Sequence, residues 1–259
     1  MHMAMAISEQ SLEGGGEKPV RARALEAELE RERAEGRERE RQMDRYASDL
    51  SETFRAERRR SDQLQASYVA TVRALTNAVE ARDAYTGKHA ERVAAYGLEL
   101  ARRISDSLAA DPQTEFGFLL HDIGKVAIPD VVLHKASDLT PEEEALMRRH
   151  PEIGADIVSH VEFLTTAALT VRHHHERFDG SGYPDGLAGA EIPLAARIFA
   201  VADALDAMTT DRPYRPGASF SEARHEIAAA AGRQFDPEVV AVLDGIPDED
   251  LVRVRTRIG

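Results

Sequence analysis

The chain has 259 residues and is 42% hydrophobic, which is enough for one domain of ordinary size and an accessory segment. Its formal net charge of -13 argues against a general nucleic-acid binder, because such proteins present a basic face. The absence of cysteine excludes disulfides, thiolate metal sites and cysteine nucleophiles. No apolar run is long enough for a membrane span and the first residues lack a secretory signal, so we expect a cytoplasmic protein.

The N-terminal quarter of the chain is polar and has little apolar surface. Residues 1–20 include three consecutive glycines and are predicted to be disordered. Residues 21–66 interleave Glu and Arg, which predicts a charged helical arm held by opposite charges one turn apart. Both a solvated single helix or partly disordered tail and a coiled coil that pairs two chains fit this composition. The apolar seam improves towards the end of the arm, where 4-3-4-3 spacing joins Leu64, Tyr68, Thr71, Leu75 and Ala78.

Residues 67–259 are expected to form an all-α globular domain, because apolar residues recur there at helical spacing and no run of strands is found. A helix start is predicted at Thr140-Pro141-Glu142-Glu143, where Thr140 is the N-cap and Glu143 completes a capping box. Asp236-Pro237-Glu238 predicts a second such start. The glycine-rich segment 178–193 is predicted to be an ordered loop of tight turns.

Nine of the ten histidines lie in this domain, and His121-Asp122 is the most informative pair. Adjacent side chains on one helix project about 100° apart, so the two could coordinate a metal from two directions. An isolated histidine, an HD dipeptide or a histidine triplet would each indicate little alone; the ordered set is informative. Antiparallel helices could converge these residues on one dinuclear site. The other candidate ligands are His89, His150, the run His173-His174-His175 and Asp203.

The candidate ligands are all imidazoles and carboxylates, a set that suits iron, manganese or zinc and disfavours thiophilic metals. Two such metals a few ångströms apart generate hydroxide near neutral pH and polarise a phosphoryl oxygen. The residues themselves therefore indicate metal-dependent hydrolysis of a phosphodiester bond.

Two motifs resemble those of the HD-GYP group within the HD phosphohydrolase superfamily. The first is His-Asp-Ile-Gly-Lys at 121–125, and the second is His-His-Glu-Arg-Phe-Asp-Gly-Ser-Gly-Tyr-Pro at 174–184. Further matches occur at 83–89, 186–198, 212–215 and 235–238. The resemblance covers roughly residues 71–243, and the arm lies outside it.

The resemblance implies an HD-domain helical bundle that hydrolyses cyclic di-GMP to the linear dinucleotide pGpG, or on to GMP. It implies a binuclear site of two divalent ions, iron or manganese, with zinc, nickel or cobalt as alternatives. The nucleophile would be a hydroxide bridging the two metals, and Asp122 would be the bridging carboxylate. The implied metal ligands are His89, His121, Asp122, His150, His174, His175 and Asp203.

The resemblance also implies roles around the substrate. Lys125 would assist catalysis by holding a non-bridging phosphate oxygen. Arg212 and Arg215 would cradle the phosphates from the other side, although such arginines also make ordinary surface salt bridges. Tyr183 would lie against a guanine or hydrogen-bond to the substrate. Asp179 would either orient a ligand histidine or only cap the glycine loop.

One departure from the family pattern bears on the number of metals. Some members carry a Glu four residues before the first ligand histidine and hold a third metal, whereas this chain has Tyr85 there. We therefore expect two metals. Alternative functions are hydrolysis of another cyclic dinucleotide, such as cyclic GMP-AMP, and a signalling or interaction module that responds to nucleotide without turnover. The arm predicts a homodimer through the N-terminal helices, and neither a nucleic-acid polymer nor a membrane is an expected partner.

Overall fold

The computed structural model describes residues 17–82, 88–211 and 216–258, with side chains from residue 20 onward. The described residues contain no β-strand, only two isolated bridges, so the predicted all-α class is confirmed. Short 3-10 helices occupy Ile123–Ala127, Glu162–Leu164 and Gly189–Glu191. The α-helices are α1 Glu17–Glu80, α2 His89–Ile104, α3 Asp106–Ala110, α4 Pro112–Leu119, α5 Asp130–Leu133, α6 Pro141–Met147, α7 His150–Ser159, α8 Ala167–His173, α9 Leu194–Thr209, α10 Phe220–Ala229, α11 Pro237–Asp244 and α12 Asp248–Ile258.

The chain divides into two compact units, residues 1–65 and 66–259. In its described part the first unit is a single helix, the N-terminal portion of α1, and every described side chain from Val20 to Gln65 is exposed. The helix begins at Glu17, four residues inside the segment predicted to be disordered. Pro19 is compatible with this start, because backbone N–H groups in the first turn of a helix have no helical partner. Residues 1–16 lie outside the described residues.

The second unit is built around α2 and α9, which pack against each other. The α9 helix is apolar on most of its surface, and such helices are stable only when buried. None of the helices in the described ranges combines the length and apolar character that a membrane crossing requires. The helices enclose a hydrophobic core. Its largest fully buried side chains are Tyr96, Leu100, Phe118, Leu119, Ile198, Phe199, Leu205, Ile227, Leu243, Ile246 and Leu251.

Both predicted helix starts are confirmed. Thr140 caps α6, its hydroxyl accepting from the Glu143 N–H while the Glu143 carboxylate accepts from the Thr140 N–H. The Asp236 side chain accepts from the Glu238 N–H at the start of α11. Local hydrogen bonds of this kind use only neighbours in sequence, which is why the pattern alone located them.

The structure corrects the prediction that His121 and Asp122 share a helix. The α4 helix ends at Leu119, and the pair lies in the turn that leads to the 3-10 helix Ile123–Ala127. That 3-10 helix packs directly on α7 at Gly124, where an added Cβ would overlap the His150 carbonyl oxygen. This close approach brings the segment after Asp122 against the first turn of α7, so Asp122 and His150 become neighbours.

Candidate metal centre

Six of the seven residues predicted as metal ligands line one cleft of the second unit, and the seventh, His150, lies beside them with its Nε2 3.3 Å from Nε2 of His174. His89 and His150 are the first residues of α2 and α7, and His174 follows the last residue of α8. Asp203 lies inside α9. The cleft is lined by His89, His121, Asp122, Lys125, His174, His175 and Asp203, with the end of α1 forming a further wall.

Three of the candidate ligand histidines are oriented by the same kind of hydrogen bond to the backbone. In each, Nδ1–H donates to the backbone carbonyl three residues earlier, at the end of a helical turn where carbonyls have no helical partner. The Nδ1 proton leaves Nε2 as the unprotonated nitrogen with a lone pair. The bonds join His121 to Phe118 at 2.9 Å, His150 to Met147 at 2.8 Å and His174 to Val171 at 2.7 Å.

The Nε2 atoms of His150 and His174 lie 3.3 Å apart. With both protons on Nδ1, neither Nε2 can donate, so two lone pairs face each other in a buried place. A cation between them relieves this repulsion, and the separation suits two ligands on one ion with metal–nitrogen bonds of about 2.1 Å. His175 completes the trio, since one ring nitrogen of each histidine lies within 4.8 Å of the others. Burial lowers the pKa of His175 to about 4 and that of His174 well below its usual value, so both are neutral ligands.

Asp122 stands between this trio and a second group of ligands. Its Oδ1 is 3.3 Å from Nε2 of His150, and its Oδ2 is 3.1 Å from Nε2 of His121. Burial raises the pKa of the Asp122 carboxyl, but its interactions with His121, Lys125 and His150 outweigh burial and hold that pKa well below its usual value. An ionised carboxylate whose two oxygens face different histidines has the geometry of a bridging ligand.

The second group consists of His89, His121 and Asp203. Nε2 of His89 lies 3.3 Å from Oδ1 of Asp203, and the His89 and His121 rings meet edge to face with centroids 5.7 Å apart. Burial raises the pKa of Asp203, but the hydrogen bond and charge of His89 outweigh it and the pKa falls below its usual value. Asp203 therefore carries a negative charge on this side of Asp122.

Asp206 and Arg92 belong to the site, although sequence reasoning missed them. Oδ2 of the buried Asp206 accepts from Nδ1 of His89 at 2.8 Å, and Arg92 donates to both oxygens of Asp206 at 2.7 and 3.0 Å. Burial lowers the pKa of His89, but Asp203 and Asp206 outweigh burial and raise it to about 10. The available signal was spacing, because Asp203 and Asp206 stand three residues apart on α9, as His89 and Arg92 do on α2.

Two of the predicted substrate contacts lie beside these ligands. Nζ of Lys125 is 2.8 Å from Oδ2 of Asp122. The Tyr183 ring stacks on His175, with centroids 4.8 Å apart and planes 23° from parallel. The guanidinium carbon of Arg148, another residue that the sequence did not indicate, lies 5.0 Å from the centroid of the Tyr183 ring. Burial raises the pKa of Tyr183 to about 12, so its hydroxyl keeps the proton.

The glycine loop holds its own shape through local bonds. Oδ1 of Asp179 accepts from the Ser181 N–H at 3.0 Å and from the Ser181 hydroxyl at 2.6 Å, so Asp179 caps the loop. Gly182 packs so closely that an added Cβ would lie 2.5 Å from Cα of Glu176. His173 belongs to a separate cluster with Glu176 and Asp185, and its Nδ1 lies 3.5 Å from Oδ2 of Asp185.

Three positions of the sequence analysis cannot be placed. Arg212 and Arg215, predicted to contact the substrate phosphates, lie outside the described residues, as does Tyr85. Two statements therefore stay predictions. One is the number of metals, which was inferred from Tyr85, and the other is the contact of the two arginines with the substrate phosphates.

Comparison with known proteins identifies the family. Residues 73–239 match the HD domain family. The chain belongs to the HD domain family. HD-domain phosphohydrolases are metal-dependent, and the described residues of this member contain His, Asp and Glu clusters that could hold a metal ion.

Curated relatives resemble the HD domain of this chain closely. It is 43% identical over 175 residues to the cyclic di-GMP phosphodiesterase response regulator RpfG of Xanthomonas campestris, covering 67% of this chain and 46% of that protein. It is 40% identical over 171 residues to the 3'3'-cGAMP-specific phosphodiesterase 2 of Vibrio cholerae, covering 65% of this chain and 33% of that protein. The chain thus spans less than half the length of these two relatives.

A solved structure resembles the chain in fold. It is the crystal structure of a cyclic GMP-AMP-specific phosphodiesterase of Vibrio cholerae, with a TM-score of 0.52 and 22% sequence identity. The match covers 71% of this chain and 52% of that one. At this identity the likeness supports the helical HD-domain fold alone.

Proposed function

We propose that this chain is a metal-dependent phosphodiesterase that hydrolyses cyclic di-GMP to pGpG or GMP at a two-metal site. The observation that carries the proposal is the placement of Asp122. Its two carboxylate oxygens face His121 and His150, which belong to two separate groups of ligands. Relatives named cyclic di-GMP phosphodiesterases, at 43% identity, support the choice of substrate.

The two groups of ligands divide naturally between two ions that share Asp122. One ion would be held by His150, His174 and His175, and the other by His89, His121 and Asp203. Divalent ions bound there would supply Lewis acidity towards the phosphate and a nucleophilic water near neutral pH. Iron or manganese fits this set of imidazoles and carboxylates, and zinc, nickel or cobalt remains an alternative.

The side chains around the ions would bind and orient the substrate. The ammonium of Lys125, beside Asp122, would hold a non-bridging phosphate oxygen. Tyr183, protonated at neutral pH, would donate a hydrogen bond to the substrate or lie against a guanine. Arg212 and Arg215 would bind the phosphates from the other side.

The decisive experiment is anaerobic purification with metal analysis, followed by a substrate panel. We expect about two equivalents of iron or manganese per chain and hydrolysis of cyclic di-GMP, with pGpG or GMP identified by mass spectrometry. The panel includes 3'3'-cyclic GMP-AMP and cyclic di-AMP. Binding of cyclic di-GMP without turnover by the metal-loaded protein would replace the proposal with a nucleotide-responsive signalling module.

A second candidate substrate is cyclic GMP-AMP. The observation that favours it is the 40% identity to a 3'3'-cGAMP-specific phosphodiesterase, close to the 43% identity to the cyclic di-GMP enzymes. A ratio of kcat/KM above one for cyclic GMP-AMP relative to cyclic di-GMP would change the assignment of substrate and leave the two-metal hydrolysis intact.

Metal binding should release the proton that His89 carries in the metal-free protein. The carboxylates raise the pKa of His89 to about 10, so the ring is charged at pH 7.5 and must lose its proton to become a ligand. Calorimetric Mn²⁺ titrations in buffers of different ionisation enthalpy measure the number of protons released. Over the whole titration, we expect His89→Gln to release about one proton fewer than the unmodified chain. Equal release by both proteins would contradict the role of His89.

We further propose that the arm joins two chains through its apolar residues. Met43, Tyr46, Leu50 and Phe54 are 58–68% exposed and recur every three or four residues, as in a coiled coil. Sedimentation velocity of the intact chain is expected to give a dimer. The double variant Leu50→Glu, Phe54→Glu is expected to be monomeric, and a monomer with the arm intact would overturn the proposal.

A further inference from the structure

The last turns of α1 contact the backbone beside three of the candidate ligands. The α1 helix is not part of the proposed metal site, yet its C-terminal end lines the same cleft. Three side chains make contacts of this kind, Thr76 and Glu80 in the last turns of α1 and Arg82 two residues beyond its end, and we call these three residues the α1 brace. All three belong to the second unit of the chain.

Glu80 supplies a cap that α2 lacks. The residue before α2, Lys88, has a left-handed backbone with φ of 64° and makes no side-chain capping bond. Instead, Oε1 of Glu80 accepts from the backbone N–H of Ala90 at 2.7 Å. A carboxylate at a helix N-terminus satisfies an N–H group and interacts favourably with the helix dipole. Because His89 is the first residue of α2, this bond holds the backbone from which His89 projects.

Arg82 and Thr76 hold the segment that carries His121, Asp122 and Lys125. Arg82 donates to the Val126 carbonyl at 2.8 Å and the Ile128 carbonyl at 3.3 Å, at the end of the 3-10 helix that contains Lys125. The buried Thr76 hydroxyl donates to the Leu119 carbonyl at 3.1 Å, two residues before His121. The brace therefore fixes the backbone on both sides of the His-Asp pair.

We propose that Thr76, Glu80 and Arg82 are positioning residues, which set the spacing between His89 on α2 and the His121–Lys125 segment. The inference rests on the proposed metal site. The helices α3 and α4 separate α2 from the 3-10 helix in the chain, whereas the end of α1 and the turn after it contact both elements and so provide a common reference for them. Residues that orient ligands without binding metal commonly change metal affinity or activity by 10–100-fold.

The test compares Mn²⁺ affinity, metal stoichiometry, kcat and KM for variants of the full chain. Glu80→Ala is expected to weaken Mn²⁺ binding about tenfold with two equivalents still bound at saturation, whereas Glu80→Gln, whose amide oxygen can still accept from Ala90, changes it less than about threefold. Arg82→Lys, which cannot reach both carbonyls with one ammonium, is expected to lower kcat about tenfold with little change in KM. Glu80→Asp keeps the charge but withdraws the oxygen, and serves if Glu80→Ala fails to fold.

The matched control is Arg73→Gln, which removes an α1 ion pair with Glu115 of α4 that touches none of the ligand segments. It should retain the affinity, stoichiometry and kinetics of the unmodified chain. Glu80→Ala and Arg82→Lys proteins that behave like Arg73→Gln would overturn the inference, and loss of a full metal equivalent in Glu80→Gln would make Glu80 a ligand instead. Because Mn²⁺ affinity is measured without turnover, an inactive but metal-binding chain would refute the proposed hydrolysis and leave the brace testable.

Discussion

Replacement of Asp122 by alanine is expected to remove metal and abolish turnover. Its two oxygens face the two groups of ligands, so both proposed ions depend on this carboxylate. Without it, His121 and His150 each lose the carboxylate oxygen that lies beside Nε2. Since Lewis-acid stabilisation of a phosphoryl transition state is worth several kcal/mol, kcat should fall by about a thousandfold or more. Metal analysis and product formation from cyclic di-GMP measure the effect.

Two further variants test whether the effect is specific to the carboxylate of Asp122. Asp122→Asn keeps the shape of the side chain, but a neutral amide has only one oxygen to offer, so it should fold normally and lose at least one metal equivalent. Asp156→Asn changes an exposed carboxylate on α7, the helix that begins with His150, and should leave metal content and turnover unchanged. Full activity in Asp122→Ala would refute the mechanism.

Replacement of Asp206 by asparagine is expected to reduce both stability and metal affinity. The Asp206 side chain is 2% exposed and receives two hydrogen bonds from the Arg92 guanidinium. Removing its charge breaks the buried ion pair between Asp206 and Arg92, and loss of one partner of such a pair should cost about 3 kcal/mol of unfolding free energy. The same change removes one of the carboxylates that raise the pKa of His89 and the acceptor that orients its ring. Denaturant unfolding and Mn²⁺ titration measure the two effects.

The pH dependence of the free energy of unfolding measures the contribution of ionised Asp206 independently. Burial raises the pKa of Asp206, but His89 and Arg92 outweigh it, so the folded pKa lies below the ordinary value of 3.8. A group with a depressed folded pKa stabilises the protein above its unfolded pKa and loses that contribution as the pH falls. The stability lost by the unmodified chain below about pH 4 should therefore be smaller in Asp206→Asn.

A surface ion pair supplies the control for this prediction. Asp250 pairs with Arg103 on the surface, and Asp250→Asn should change the unfolding free energy by less than about 1 kcal/mol. The paired substitution Arg92→Met, Asp206→Leu should recover much of the stability, because apolar pairs often replace buried ion pairs without loss. It should not recover metal affinity, since His89 still lacks its acceptor. An Asp206→Asn protein as stable as the Asp250→Asn protein would contradict the stabilising role of the ion pair between Asp206 and Arg92.

The sequence by itself determined the helical class, the helix starts at Thr140 and Asp236, and which residues are candidate ligands. Helical periodicity and capping depend on residues within a turn or two of each other, so they can be read along the chain. The ordered histidines and aspartates could be read in the same way, because their residue types and order match the family motif. The prediction that His121 and Asp122 share a helix was wrong, since the close packing of Gly124 on α7 is a contact between distant segments.

Only the tertiary structure decided how those residues work together. Asp206 and Arg92 are 114 residues apart in sequence, and Arg82 and Val126 are 44 apart, so their pairing depends on how helices pack. The facing Nε2 atoms of His150 and His174 likewise arise because two helix ends meet. Residue types identify what can bind a metal; the distances and charges that place Asp122 between two groups of ligands exist only once the helices are packed.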